Sequence, residues 1–557
     1  VSDAGEGEQS TVLAQSTSPG VPASGPTSVH QTSTSISLDW SAPSSDGSSG
    51  EDASGYRLYD VAGQNAVLLY DGPDTAYEQV GLTAGTSYSY AVSAVSAAGE
   101  SPSTSTLVQS TAPAAPTGLS SSGWSTSGFD VSWSAPSGGV PVVTGYTLYE
   151  RVTYEMADVG STGGVPDAVL QQMLTQSTDT VVVDTVAYDG SGDTAVSTSL
   201  SGLSGGVSYD YVVAARSSAG EGARSTALSV STSPPAPGSV ASVSQTTSSI
   251  TLSWSAPVVT TGSAVTGYNV YINDGSNADP STVVSCGGDA LSTTCTASGL
   301  TGGVSYRFQV SALSTTGESD RSSVLTQLTA PAEVAANSMT FGSITMTSMV
   351  LTWSAPSGTA ATGYIVYRDD GDDQTPSIVA FEGAALTATV SGLTGGTSYN
   401  YMVAALSEAG VGDVSGVSRQ STSPASPLGL SSDTQTSTSI TLSWSASVVS
   451  GGSAVTSYKV YANDGSSAAA ALSQSAVATT DGSTTVATVS QLSPGLLYSF
   501  AVSAVSDAGE GEQSTVLAQS TSPGVPASGP TSVPQTSTSI SLAWRAPSSG
   551  GSRGEDA

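Results

Sequence analysis

Across 557 residues, 44 acidic side chains stand against 11 basic ones, giving a formal charge of -33, and only 10% of positions are charged. So few Lys and Arg exclude a basic nucleic-acid surface or a polybasic membrane patch, since both need clustered cations. One histidine (His30) and two cysteines leave almost nothing for histidine catalysis or a multi-cysteine metal site, so no catalytic residue, metal or cofactor is expected.

The length divides into about four to six ordinary domains. Gly (62), Pro (27) and roughly a third Ser plus Thr would suit a disordered chain, but 38% of residues are apolar and they are regularly placed. No apolar run approaches the ~20 residues of a membrane helix. Residues 1–53 recur as 505–557 with five differences: His30/Pro534, Asp39/Ala543, Ser41/Arg545, Asp46/Gly550 and Ser49/Arg553. The chain therefore reads as one long period plus an overlap, beginning inside one repeat and ending inside the next.

A shorter unit lies within that period. Trp40, Trp133, Trp254, Trp353, Trp444 and Trp544 are separated by 93, 121, 99, 91 and 100 residues, which together make the 504-residue period. Each closes a strand of strict alternation, from Ile36-x-Leu38-x-Trp40 to Ile440-x-Leu442-x-Trp444, with one buried and one wet face. A second strand follows, opened by Tyr56, Tyr146, Tyr268, Tyr364 or Tyr458. Next comes Leu82-Thr-Ala-Gly-Thr-Ser-Tyr88, repeated as Leu203 to Tyr209, Leu300 to Tyr306, Leu393 to Tyr399 and Leu492 to Tyr498. Each of these tyrosines opens another alternating strand. A turn usually reading Ala-Gly-Glu and a Ser/Thr-rich strand ending in Thr-Ser-Pro or Thr-Ala-Pro complete the unit.

Tryptophan on an early strand, Leu-x-x-Gly-x-x-Tyr at a corner and Tyr-x-φ-x-Val-x-Ala after it resemble the fibronectin type III domain. The resemblance covers essentially the whole chain and implies an all-β, rod-shaped array of immunoglobulin-like sandwiches. It implies complete domains at 20–112, 113–233, 234–330, 331–423 and 424–522, flanked by fragments at 1–19 and 523–557. Trp40, Trp133, Trp254, Trp353 and Trp444 become core residues. Tyr88, Tyr209, Tyr306, Tyr399 and Tyr498 become corner tyrosines, largely buried, each with its hydroxyl bonded to backbone a few residues upstream. The second domain departs from the pattern by an insertion at about 150–182, in which residues 167–174 could form a short helix. Arg-Gly-Asp, an adhesive tripeptide of the family, is absent; Arg553-Gly554-Glu555 is the nearest string.

Candidate sites are few. His30 reads as an ordinary first-strand residue. Asn273-Asp274-Gly275, Asp369-Asp370-Gly371 and Asn463-Asp464-Gly465 follow the second strand in the last three domains. They read as two-residue hairpin turns, with Asp369, Asp370, Asp372 and Asp373 a weak alternative as calcium ligands. Cys286 and Cys295 are expected to form an intradomain disulfide, which an extracellular chain would keep oxidised. Tyr59, Tyr149, Tyr271, Tyr367 and Tyr461 have opposite parity to the buried residues of their strand. They should point outward, either as cross-strand packing or as a lateral contact with a partner chain or sugar. No asparagine begins an Asn-x-Ser/Thr acceptor, while the Ser/Thr density admits O-linked sugar.

The reading is a structural, rod-like segment of a long extracellular protein, forming a filament, a surface appendage (a flagellar hair or sheath fibril) or an adhesive stalk. Its partners would be copies of itself, other fibre components or glycans. The alternatives are a binding-module array gripping polysaccharide or a cell surface, and a spacer region of a larger carbohydrate-active enzyme.

Overall fold

A computed structural model describes residues 16–44, 51–137, 141–155, 165–176, 180–358, 361–465 and 470–546. Most of the fragment 1–19, parts of the insertion, and Arg553-Gly554-Glu555 lie outside these residues.

The described chain is antiparallel β with a single α-helix, and one arrangement recurs five times. The third domain shows it plainly. Gly238–Gln245, Ser249–Ser255 and Thr294–Ser298 make a three-stranded sheet with Ser249–Ser255 in the centre. The facing sheet runs Thr282–Val284, Gly267–Ile272, Ser305–Ser314, Gly317–Glu318, and Leu325–Leu328 also pairs with Ser305–Ser314. Period-two alternation dictates this outcome, because a strand with one apolar face must bury it against a second sheet.

The five tryptophans are 3–7% exposed, each at the heart of its own core cluster. Each meets the tyrosine that opens the next strand edge-on, at centroid distances of 6.0 Å (Trp40–Tyr56), 5.4 Å (Trp133–Tyr146), 5.3 Å (Trp254–Tyr268), 5.7 Å (Trp353–Tyr364) and 5.5 Å (Trp444–Tyr458). Edge-to-face geometry is what ring quadrupoles favour. In the final hairpin, Ser528–Thr536 with Ser539–Arg545, no second sheet among the described residues covers this face, and Trp544 is 66% exposed.

The insertion of the second domain lengthens a hairpin and adds a helix. Val143–Glu155 pairs with Thr180–Ser191 along its length, and helix Asp167–Gln176 sets Val169 and Met173 against Val181 in a small satellite core. His30 sits in the first strand, Ser24–Gln31. Cys286 and Cys295 are disulfide-bonded, with Cα atoms 5.0 Å apart. The bond ties the segment after Thr282–Val284, an edge of one sheet, to Thr294–Ser298, an edge of the other.

Candidate functional site

The most regular polar construction in the chain lies at the corner of each domain. The corner tyrosine hydroxyl accepts a hydrogen bond from the amide five residues upstream: Thr83 to Tyr88 (2.9 Å), Ser204 to Tyr209 (2.9 Å), Thr301 to Tyr306 (2.9 Å), Thr394 to Tyr399 (3.0 Å) and Ser493 to Tyr498 (2.8 Å). The carbonyls of the same five residues are held by a threonine that sequence reasoning passed over. Thr111, Thr232, Thr329, Thr422 and Thr521, at most 1% exposed, donate to them at 2.7–2.8 Å. The same hydroxyls accept from the amides of Thr86, Val207, Val304, Thr397 and Leu496 at 3.0–3.2 Å. The signal was present in the sequence, since this threonine stands 23 residues after the corner tyrosine in all five domains.

The threonine is also the last residue before the linker, so the clamp fixes where the chain leaves the domain. The residue after it is pinned as well: the amides of Ala112, Ser233, Ala330, Ser423 and Ser522 donate to Thr32, Ser125, Thr246, Thr345 and Thr436.

Corner burial is uneven, which corrects the expectation of five largely buried tyrosines. Tyr306, Tyr399 and Tyr498 are buried, whereas Tyr88 and Tyr209 are half-buried. The cause is the Asx-x-Gly loop of the last three domains, where Gly275, Gly371 and Gly465 lie against those tyrosine rings. A Cβ at Gly371, for example, would come within 3.3 Å of Tyr399.

These loops are not two-residue hairpins. In the third and fourth domains the strands resume only at Thr282 and Ile378; Gly275 and Gly371 have positive φ (88° and 92°), and in the fourth domain Asp373 does too (65°). The first residue does the work of closure: Asn273, Asp369 and Asn463 are 2–6% exposed and accept from the amides of Arg307, Asn400 and Ser499 at 2.9–3.0 Å. Of the four aspartates offered as calcium ligands, Asp369 is this closing residue and Asp373 pairs with Arg419 at 2.9 Å and with the Asn400 amide. Asp370 crowds Asp372 and pushes its carboxyl up. Among the described residues no three His, Cys, Asp or Glu side chains converge on a metal position.

The outward tyrosines need a second correction. They do occupy the face away from the core, yet Tyr149, Tyr271 and Tyr461 are 6–7% exposed, while Tyr59 and Tyr367 are half-buried. A glutamate twelve residues after the corner tyrosine covers them. Tyr59 donates to Glu100 (2.7 Å), Tyr149 to Glu221 (2.6 Å), Tyr461 to Glu510 (2.5 Å) and Tyr271 to Glu318. Cations close over the pairs: Arg57 and Lys459 on Glu100 and Glu510, Arg224 and Arg321 over the rings of Tyr149 and Tyr271. In the fourth domain Val411 stands where the glutamate would be. Buried under their own domain's charges, Tyr149, Tyr271 and Tyr461 are not free for lateral contact.

A scan against family models matches the fibronectin type III domain five times, at residues 21–110, 114–231, 233–327, 334–421 and 425–520. The chain belongs to the fibronectin type III family. It is 34% identical to Exoglucanase B of Cellulomonas fimi over 39% of its length and 20% of that protein. To Chitinase A1 of Niallia circulans it is 34% identical over 32% of its length and 24% of that protein. Endoglucanase B of Cellulomonas fimi matches at 30% identity over 50% of the chain and 25% of that protein. The chain thus spans about a quarter or less of these relatives. Among solved structures, the FN1-FN3 domains of chicken CNTN1 align over 52% of this chain and 99% of theirs, at 18% identity and a TM-score of 0.23. No helix among the described residues is long and apolar enough to cross a membrane.

Two outcomes follow from this geometry. Replacing a corner tyrosine by Phe removes the partner of the corner amide, which should cost roughly 0.5–1.5 kcal/mol. The loss should be larger for Tyr399→Phe than for Tyr88→Phe, where water can reach the amide; equal melting shifts would contradict the assignment. The second outcome concerns acid. Burial pushes Glu100, Glu318 and Glu510 up, but hydrogen bonds from Ser93, Ser311 and Ser503, from the tyrosines and from Arg57, Asn269 and Lys459 outweigh it, leaving all three carboxyls below the usual range. A depressed folded-state pKa stabilises above the unfolded value, near 4.3 for Glu, and that stability disappears as pH falls through the folded value. Melting scans from pH 7 to pH 3 should show Glu510→Gln flattening the acid loss of the fifth domain, and an unchanged slope would refute the coupling.

Proposed function

We propose that this chain is a non-catalytic spacer of a larger extracellular protein, an extended array whose task is to hold apart what lies at its two ends. The observation that carries the reading is the coupling of clamp to linker. In each domain the exit threonine and the residue after it are both hydrogen-bonded to their own domain, and prolines such as Pro113, Pro234, Pro331 and Pro424 follow at once. Proline fixes φ and stiffens what little linker remains. Three joints carry cross-domain bonds as well; between the third and fourth domains Thr247 donates to Asp413. The Gly206 carbonyl accepts from the amides of Thr260 and Gly262, and Gly396 accepts from Ser450. Gly262 and Gly452 fit because they lack a side chain: a Cβ there would sit 2.7 and 2.4 Å from the carbonyl oxygens of Gly206 and Gly396.

The relatives favour the spacer of a carbohydrate-active enzyme over the filament or stalk, because Exoglucanase B, Chitinase A1 and Endoglucanase B share only this part of their length with the chain. Charge also disfavours bundling. Nine of the eleven cations (Arg57, Arg151, Arg216, Arg224, Arg307, Arg321, Arg368, Arg419 and Lys459) are engaged by groups within the chain, mostly as ion pairs. The surplus of acid therefore faces outward, and like rods repel at low salt.

Small-angle scattering separates the outcomes. Domains about 30 Å long set end to end give roughly 150 Å and a radius of gyration of about 45 Å, against about 24 Å for a compact globule of this length. The spacer reading expects the larger value, independent of concentration, and a further lengthening of the distance distribution's spread in Gly262→Ala/Gly452→Ala with each domain's melting unchanged. A compact particle, or assembly into filaments at low salt, would overturn it.

A further inference from the structure

The third domain differs from the first, second and fourth beside its tryptophan. In the first domain Tyr70, opposite Leu58 on the edge strand, packs on Trp40 at 6.0 Å. In the fourth, Phe381 opposite Val366 packs on Trp353 at 5.8 Å, and in the second Tyr188 opposite Leu148 joins the core around Trp133. The same register position in the third domain, opposite Val270, is Val284. One ring is missing, and the disulfide-bonded loop that follows does not replace it. A cavity of about 180 Å³ remains, walled by Trp254, Tyr268 and Cys286 and rimmed by Asp289, Ser292 and Thr294. Space of this size holds a single six-membered ring; a dry cavity of about 150 Å³ accepts benzene.

The tyrosine beside the gap is exposed accordingly. Tyr56, Tyr146, Tyr364 and Tyr458 are 1–5% exposed, whereas their counterpart Tyr268 is only half-buried. In the fifth domain, where the register position is Ala478, the Tyr458 hydroxyl instead accepts from the amide of Ser447 and is closed off by its own loop. On the other side of Tyr268 a second, open cavity of about 610 Å³ is lined by Val259, Thr260, Thr261, Leu291 and Thr293. That loop is held in place by the Gly206 carbonyl of the preceding domain. Tyr268 lines both spaces, so a ligand that fills one can run past its ring toward the other.

We propose that these two spaces bind a neutral polysaccharide chain, with one pyranose ring in the gap beside Trp254 and the next rings running past Tyr268. The chemistry of the lining selects that occupant. Sugar rings are apolar on their faces and hydroxylated at their edges, so they match an aromatic wall bordered by threonine and serine hydroxyls and a carboxylate. No cation lines either cavity, and Asp289 disfavours an anionic ligand. The proposal goes beyond the spacer role, which survives if it fails, because scattering and sugar binding are read separately.

The test is calorimetric titration of the whole chain with cellohexaose and with mannohexaose, using trigalacturonate as the anionic control and N-acetyltyrosinamide as a mimic of an aromatic peptide side chain. At least one neutral hexasaccharide should bind saturably and perturb Trp fluorescence. Val284→Tyr, which restores the ring its neighbours carry, should weaken that binding about tenfold or more while the third domain melts no lower than before. Tyr268→Leu, which keeps apolar volume but removes the stacking face, should do the same. No binding of either neutral hexasaccharide at millimolar concentration would overturn the proposal. So would unchanged binding by both variants, or a response to trigalacturonate or N-acetyltyrosinamide alone.

Discussion

One residue in each domain is held from both sides, through its amide and its carbonyl, and the array depends on it. At Thr83, Ser204, Thr301, Thr394 and Ser493 the amide is bonded to the corner tyrosine hydroxyl and the carbonyl to the exit threonine. The exit threonine is buried and its hydroxyl would go unpaired without this corner, so these reciprocal bonds fix a corner that the hydrophobic core alone would leave free to shift. The tyrosine belongs to the strand that crosses the core, and the threonine to the point of exit. The clamp therefore ties the packing of the sandwich to the direction of the chain beyond it.

From that coupling the rest follows. Each linker begins at a pinned threonine, bonds once more to its own domain and then enters proline. At three joints the next domain rests a glycine directly on the clamped corner, through Gly206 and Gly262, through Gly303 and Gly358, and through Gly396 and Gly452. The corner glycines are required there by sterics as well: a side chain at Gly205 would come 2.8 Å from Thr126, and one at Gly302 would come 2.9 Å from Ala332 of the linker. A chain built this way transmits position from one domain to the next, which is the property a spacer needs.

Much of this was legible in the sequence because core packing is written as period-two alternation. The tryptophans, the corner tyrosines and the pairing of Cys286 with Cys295 all fall where alternation and spacing put them. What escaped depended on residues distant in sequence. The parity of Tyr149 and Tyr271 placed them correctly on the outer face. Their burial, though, comes from Glu221 and Glu318 and from the arginines at 224 and 321, which come into reach only across the sheet. The Asx-x-Gly loops looked like tight turns because Asp-Gly is a hairpin signal, yet their glycines serve close packing on Tyr306 and Tyr399. The gap beside Trp254 could be read only against its neighbours, once register showed that Val284 stands where Tyr70 and Phe381 stand.

Native-state hydrogen exchange at the clamped amides tests the central claim most directly. If the clamp is the constraint on which corner and exit depend, the amides of Thr301, Thr394 and Ser493 should exchange only through unfolding of the whole domain, as slowly as the central strands Ser249–Ser255, Ser348–Thr352 and Ser439–Ser445 of their domains. Exchange at those amides by local opening, much faster than in the central strands, would show that the corner frays independently, and the account would be wrong.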